Sequence, residues 1–387
     1  MVKNLLSAKV KEIKPSGIRK FFDIAATMEG VVSLGVGEPD FPTPTHIREA
    51  GVRSIADKGT AYTANVGLME LRKAISTYLE ERFQVEYNPK DQILVTVGAS
   101  EAVDLALRAI VEPGDEVLVP EPTYVSYAPT AILAGGVAVP VPTYEKDDFR
   151  LTADVIRSLI TPKTKAIVFC YPNNPTGAVM EKADLVAIAD VLRQHEILVI
   201  ADEVYAELVY GIEHTSIASL PGMYDRTLLI SGFSKAFSMT GWRLGYACGP
   251  AELIEAMKKI HQYVIMCAPT MSQWAAVEAL ENGMPEVKRM VAEYDKRRQT
   301  IVQGFRDLGL SCFEPKGAFY CFPRISSVGM TSDEFCNKLL EAEKVAVVPG
   351  SAFGDSGEGF IRVSYAYSID SIKQALTRID RFLQKLG

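Results

Sequence analysis

Between about residue 90 and residue 250, short apolar runs alternate with stretches whose apolar positions recur at helical spacing. "ILVTVG" (93–98) precedes "ASEAVDLALRAIV", and "EVLVP" (116–120) follows the turn "EPGD". "KAIVFCYP" (165–172) ends at "NNPTG"; "ILVIADEVY" (197–205), "TLLISGFSK" (227–235) and "RLGYACGP" come after it. A strand that is apolar at nearly every position must be covered on both faces. Such strands separated by helices predict an α/β fold built on a mainly parallel central sheet. After residue 250 the pattern changes. Leu253, Ile254, Met257, Ile260 and Val264 mark one helix, and Val287 through Leu308 a longer one. Three strand-like runs follow, "AFYCFPRI", "VAVVPG" and "FIRVSYA", with a capping box "TSDE" opening a helix at Thr331 and an amphipathic helix closing the chain. This tail reads as α+β. Residues 1 to about 40 supply no sheet unit of their own and are expected to pack with it. The expected division is a large domain over 45–285 and a smaller α+β domain made of 1–44 and 286–387.

Composition narrows the function classes. A chain of 387 residues suits two domains. A net charge of −7 with no dense basic run argues against nucleic acid. "DKRR" (295–298) lies within a helical pattern and reads as a solvated face. No run approaches the roughly 20 apolar residues needed to span a bilayer. The N-terminus carries charges through its apolar part, unlike a signal peptide. Six scattered cysteines form no CxxC pair, which suggests reduced thiols and a cytoplasmic location. The four histidines lack metal-ligand spacing, so no metal site is expected.

The strand ends carry the candidate chemistry, because ligands of such sheets bind at the carboxyl edge. Lys235 sits alone among small and apolar residues in "SGFSKAFSMTGWRLG". A desolvated amine loses proton affinity and becomes a nucleophile toward an aldehyde. Asp202 directly follows an apolar strand, either as a functional carboxylate or as a helix N-cap, with Tyr205 one helical turn later. In "VTVGASEA" the amides of Ala99 and Ser100 open a helix, a place that attracts phosphate. Asn173 and Asn174 fall in a turn, and Arg243 is placed to grip an anion. Together these are parts suited to an aromatic aldehyde bearing a phosphate and a ring nitrogen.

The chain resembles the class I/II aminotransferases, fold-type I enzymes that use pyridoxal 5′-phosphate, and among them the bacterial and archaeal aspartate, alanine and aromatic subgroup. The likeness runs nearly end to end through "SLGVGEPDF" (33–41), "YTANVGLMELR" (62–72), "VTVGASEA" (95–102), "EPTYVSY" (121–127), "NNPTG" (173–177), "ADEVY" (201–205), "SGFSKAFSMTGWRLGY" (231–246), "PKGAFY" (315–320), "VAVVPGSAFG" (345–354) and "IRVSYA" (361–366). The resemblance implies that Lys235 is the Schiff-base lysine and general acid/base. Asp202 would hold the pyridine nitrogen protonated, with Asn174 and Tyr205 on the phenolic oxygen and Tyr124 against the ring. Ala99, Ser100 and Arg243 would bind phosphate. Arg362 would take the substrate α-carboxylate, close to Gly37. It also implies a homodimer in which Tyr62 reaches the cofactor phosphate of the neighbouring subunit.

The chain departs from the family at Gly232, where some relatives carry a phosphate-binding serine; Ser234 or Ser231 is the candidate replacement. No arginine can be carried over for a distal carboxylate. Neutral or aromatic L-amino acids with a 2-oxo acid such as 2-oxoglutarate are therefore the expected substrates. Ile18 and Phe21 would form an apolar wall, and Arg19 is the residue through which aspartate would be accepted. Without the resemblance, Arg362 reads as an exposed strand residue and Tyr62 as a core tyrosine; Trp242 and Phe233 read as packing residues. The alternatives are a PLP-dependent C–S β-lyase on the same scaffold and a non-enzymatic regulator, which would carry a basic DNA-binding module that this chain has no room for.

Overall fold

The computed structural model describes residues 5–13 and 28–386, so Ile18, Arg19 and Phe21 lie outside the described residues. The central sheet contains β2 (Ile93–Thr96), β3 (Glu116–Glu121), β4 (Val137–Pro142), β5 (Thr164–Cys170), β6 (Leu198–Asp202), β7 (Thr227–Gly232) and β8 (Gly245–Cys248). Their order is β2-β8-β7-β6-β5-β3-β4. Every pairing is parallel except those of β8 with β2 and β7. Both faces are covered, as the continuous apolar runs require. Ile167, Phe169, Val199 and Ala201 join one core, while Ala166, Val168, Ile200 and Ile230 join another on the opposite side.

The strand β4 escapes the apolar-run pattern because its sequence, "VAVPVP", contains two prolines. It is the edge strand beside β3, where a missing N–H leaves no ladder bond open.

The C-terminal part forms a separate core around the long helix Met284–Asp307, the helix Ser332–Glu343 and the closing helix Ile369–Gln384. Thr331 makes the expected capping box with Glu334. "VAVVPG" is not one strand. It splits into β10 (Val345–Ala346), which pairs in parallel with β1 (Val32–Ser33), and β11 (Val348–Pro349). The latter joins an antiparallel sheet with β12 (Ile361–Ser364) and β9 (Tyr320–Cys321). Residues 32 and 33 thus pack with the tail, but the short helix Ala8–Glu12 does not: Lys9 Nζ donates to the Leu133 carbonyl oxygen at 3.3 Å.

The "DKRR" run is also not a solvated face. Arg297 and Arg298 are buried; Arg297 pairs with Asp40 at 2.8 Å, and Arg298 with Asp295 at 2.7 Å and Glu314 at 2.9 Å. Local and distant carboxylates together compensate the two cations, which is the condition for burying them.

Candidate active site

The carboxyl ends of β5, β6 and β7 converge on one cavity of about 750 Å³. Asp202 is the last residue of β6, Asn174 lies just past β5, and Lys235 lies just past β7. The antiparallel partner β8 returns beside β2, so Arg243 comes to the start of the helix Gly98–Ile110. There Gly98 is at φ +77°, and a Cβ on it would lie 2.8 Å from Arg243 Nη2. Glycine keeps this approach open. From the C-terminal part, β9 and β12 bring Tyr320 and Arg362. Ala99, Ser100, Gly37, Tyr124, Tyr205 and Ser234 complete the lining already expected from sequence.

Lys235 Nζ donates to the Gly37 carbonyl oxygen at 2.7 Å, between the rings of Tyr205 and Phe319. Burial lowers the lysine to about 8; Glu38 opposes this, and the Arg362 and Arg243 guanidiniums push the same way as burial. Asp202 shows the converse. Burial raises its carboxyl to about 6, against hydrogen bonds from the Tyr127 hydroxyl at 2.8 Å and the Val204 N–H at 3.2 Å. The contact to Val204 is local turn chemistry. The chain after Asp202 runs through turns, not a helix, so Asp202 is no helix cap and Tyr205 is not a helical turn away.

Arg362 is buried, contrary to its edge-strand pattern. Its Nη1 donates to Asn174 Oδ1 at 2.9 Å and its Nη2 to the Gly35 carbonyl oxygen at 2.5 Å, while its Nε has no partner among the described residues. The guanidinium stacks over the rings of Tyr320 at 4.7 Å and Phe353 at 4.8 Å. A buried cation held open on one edge is suited to receive an anion.

Three residues of this cavity do not emerge from single-motif reasoning. Tyr127 holds Asp202; Tyr320 shares a 2.9 Å hydrogen bond with the Tyr205 hydroxyl; and Glu38 bonds to Thr240 beside Lys235. Each stands inside a family-like stretch, "EPTYVSY", "PKGAFY" and "SLGVGEPDF", which was their only sequence signal. The two serines separate: Ser234 lines the cavity, whereas Ser231 Oγ donates to the Glu203 carbonyl oxygen at 3.4 Å. Tyr62 is outside the cavity and 80% exposed. Phe233 is core and Trp242 bonds to Thr43, in line with packing roles.

Residues 29–379 match the family model of the class I and II aminotransferases. The chain belongs to this family. It is 56% identical over 380 residues to the Bacillus subtilis protein YugH, with 98% of each chain covered. It is 47% identical over 383 residues to an aspartate aminotransferase of Pyrococcus abyssi, again with 98% of each covered. The solved aromatic aminotransferase of Pyrococcus horikoshii superposes with a TM-score of 0.91 at 45% identity, covering 96% of this chain and 100% of that one.

The protein is therefore a pyridoxal-phosphate-dependent aminotransferase acting on amino acid and 2-oxo acid substrates. Its cavity fits that cofactor. The volume lies in the range of small-molecule sites, and the lining combines helix amides beside a guanidinium, a buried carboxylate and a neutralisable amine. Among the described residues no cluster suits a metal ion, and no helix is long and apolar enough to cross a membrane.

The depressed lysine gives a first prediction. Covalent capture of added pyridoxal phosphate by the cofactor-free aminotransferase should quicken about tenfold per pH unit and level off above about pH 8. Only the neutral amine attacks, and its fraction saturates there. A stopped-flow rate that stays flat from pH 6 to 9 contradicts a neutralisable Lys235.

Proposed function

We propose that the enzyme transfers the amino group of neutral and aromatic L-amino acids, with 2-oxoglutarate as the acceptor. The observation that carries this reading is the charge of the cavity. Among its described lining residues the cations are Lys235, Arg243 and Arg362, and each has a task. Lys235 would hold the cofactor through its aldehyde. Arg243, with the Ala99 and Ser100 amides and Ser234, holds the phosphate. Arg362 pairs with the substrate α-carboxylate near Gly37. No fourth described lining cation is left for a distal carboxylate, so those of aspartate and of 2-oxoglutarate alike would meet solvent or neutral donors, while Tyr124, Tyr320 and Val36 offer apolar surface that favours a neutral donor side chain. The named relatives divide between aspartate and aromatic substrates, so the wall of the site decides.

Asp202 would hold the ring nitrogen protonated, Asn174 and Tyr205 would hold the phenolic oxygen, and Tyr124 would cover the ring. When bound, the cofactor supplies an electron sink and carries the amino group. Lys235 Nζ, as a free amine beside the substrate, would remove the Cα proton as general base and return a proton as general acid. Arg362 meanwhile keeps the substrate oriented. The test is a panel of phenylalanine, tyrosine, alanine and aspartate against 2-oxoglutarate. A single buried methylene shifts discrimination by only about 1–3 kcal/mol, so neutral substrates should differ modestly from one another. A strong preference for aspartate that Arg19→Ala abolishes overturns this reading. Release of thiol from a cysteine conjugate without a stable keto-acid product would instead favour the lyase.

The reading includes a homodimer with shared sites. Tyr62 is exposed beside an exposed run in which Tyr263 reaches 87% exposure. The two segments are tied by Asn65 Nδ2 to the Met266 carbonyl oxygen and Thr270 Oγ1 to the Ala61 carbonyl oxygen, both at 2.8 Å. An apolar patch of this kind suits a second copy of the chain. Inactive Lys235→Ala and crippled Tyr62→Phe chains should regain activity when mixed, because one hybrid site receives both native groups. If subunit exchange restores nothing, the site is not shared. The proposed division of the chain into 45–285 and 1–44 with 286–387 is supported by a core built mainly from residues 286–387 with Leu34, which Tyr205, Leu208 and Tyr210 of the larger part join. A reducing, cytoplasmic setting suits the six free thiols.

A further inference from the structure

Asp202 ends β6 on the floor of the cavity, and its two carboxylate oxygens have different partners. Oδ1 accepts the Val204 N–H at 3.2 Å, a bond within its own turn. Oδ2 accepts the hydroxyl of Tyr127 at 2.8 Å, from the helix Tyr127–Ala134 that follows β3. Tyr127 is 1% exposed, lines the same cavity, and meets the Tyr124 ring edge to face at 5.6 Å. We propose that Tyr127 is a positioning residue of the transamination: its hydroxyl, donated to Asp202, holds that carboxylate as an anion and fixes its orientation toward the cofactor ring, an inference that rests on the assignment of Asp202 above.

The surroundings leave this task to Tyr127. The titratable groups facing Asp202 are Tyr127, Cys170 at the end of β5, the neighbouring Glu203, and Lys235. Glu203 opposes a charge on Asp202. Lys235 favours one, but less strongly than Tyr127. Cys170 is pushed up to about 12 by burial and stays a neutral thiol. Burial also holds Tyr127 well above the usual phenol range, so its hydroxyl remains protonated and donating across the working pH. Among the groups that favour the anion, Tyr127 acts most strongly. It is also the donor from outside the Asp202 turn, and so can set the direction of the carboxylate independently of the local backbone. A buried carboxylate without such a donor takes up a proton instead.

The test follows the Asp202 carboxyl directly. Infrared titration of the cofactor-free protein, with the Asp202→Asn spectrum subtracted, should show its C=O band with a midpoint of about 6. In Tyr127→Phe the midpoint should rise by about one to two pH units, the effect of losing one hydrogen bond to a charged group. Replacing this tyrosine by 3-fluorotyrosine keeps the shape, strengthens the donor and should lower the midpoint, which serves if the phenylalanine variant folds poorly. In the holoenzyme, Tyr127→Phe should lower kcat about two- to tenfold near pH 7, as the midpoint rises by one or two units, and recover toward pH 9, with KM for the amino acid unchanged. A packing role alone would lower kcat at every pH. An unmoved midpoint in both replacements overturns the proposal while leaving Asp202 in place if Asp202→Asn is crippled. Near-normal turnover of Asp202→Asn overturns the assignment on which the proposal rests.

Discussion

Lys235→Ala is expected to leave a folded protein that binds pyridoxal phosphate without a covalent bond and turns over at least about 10⁴-fold more slowly, since it loses both the nucleophile and the proton carrier. Folding should survive. The Lys235 amine is largely desolvated, and its one side-chain hydrogen bond among the described residues is the 2.7 Å donation to Gly37. Removing a cation that burial already disfavours takes away little stabilisation, so the melting temperature should hold or rise. Borohydride reduction of the wild-type holoenzyme should place the label on the peptide containing Lys235, and the variant should not be labelled. A label on any other lysine of the wild type refutes the assignment, whatever the variant's rate.

Lys235 was legible because its own neighbours betray it. A lysine among small and apolar residues at the end of a strand has few reasons to be there, and the strand pattern that precedes it is strong. Asp202 was legible for the same reason, since an apolar strand delivers it into a dry place. The reading failed where the decisive partner is remote. Arg362 looks like an exposed strand residue until Asn174, 188 positions away, and Gly35, 327 positions away, supply its acceptors. Arg297 and Arg298 look solvated until Asp40 and Glu314 meet them. Tyr127 and Tyr320 have no local mark at all, because a tyrosine is at home in any half-buried pattern and only the closed cavity shows what its hydroxyl touches.

The sheet follows the same logic. Near-continuous apolar runs, buried on both faces, made β5, β6 and β7 readable, and these are the strands that place Asn174, Asp202 and Lys235. The edge strand β4 and the two-residue strands of the tail are set by pairing with distant segments, not by a local pattern. The part of the cavity that carries Asn174, Asp202 and Lys235 therefore comes from the readable strands. The part lined by Gly37, Tyr320 and Arg362 comes from segments whose conformation is set by pairing with the C-terminal part.

Asp202→Asn is expected to lower kcat by about 10²- to 10⁴-fold while Lys235 still captures the cofactor. Asparagine keeps the shape and can still accept from Tyr127, but it lacks the negative charge that a protonated ring nitrogen needs. The same charge has a cost in the cofactor-free protein, with a defined pH window. The Asp202 carboxyl is raised from its ordinary 3.8 to about 6 by burial. Below about pH 4 it is protonated in both folded and unfolded chains and contributes no difference. Between about 4 and 6 the folded chain holds a proton that the unfolded chain has lost, so stability from this group falls as pH rises. Above about 6 the penalty is complete, on the order of 3 kcal/mol. The neutral asparagine side chain carries no such penalty, so in urea unfolding of the cofactor-free proteins Asp202→Asn should gain on the wild type between pH 4 and 6 and keep that lead at pH 7.5. Bound pyridoxal phosphate should narrow or reverse the gap, because the ring-nitrogen proton then offsets the buried charge. A stability difference that ignores both pH and cofactor, or a variant with near-normal kcat, would show that Asp202 does not carry the charge opposite the ring.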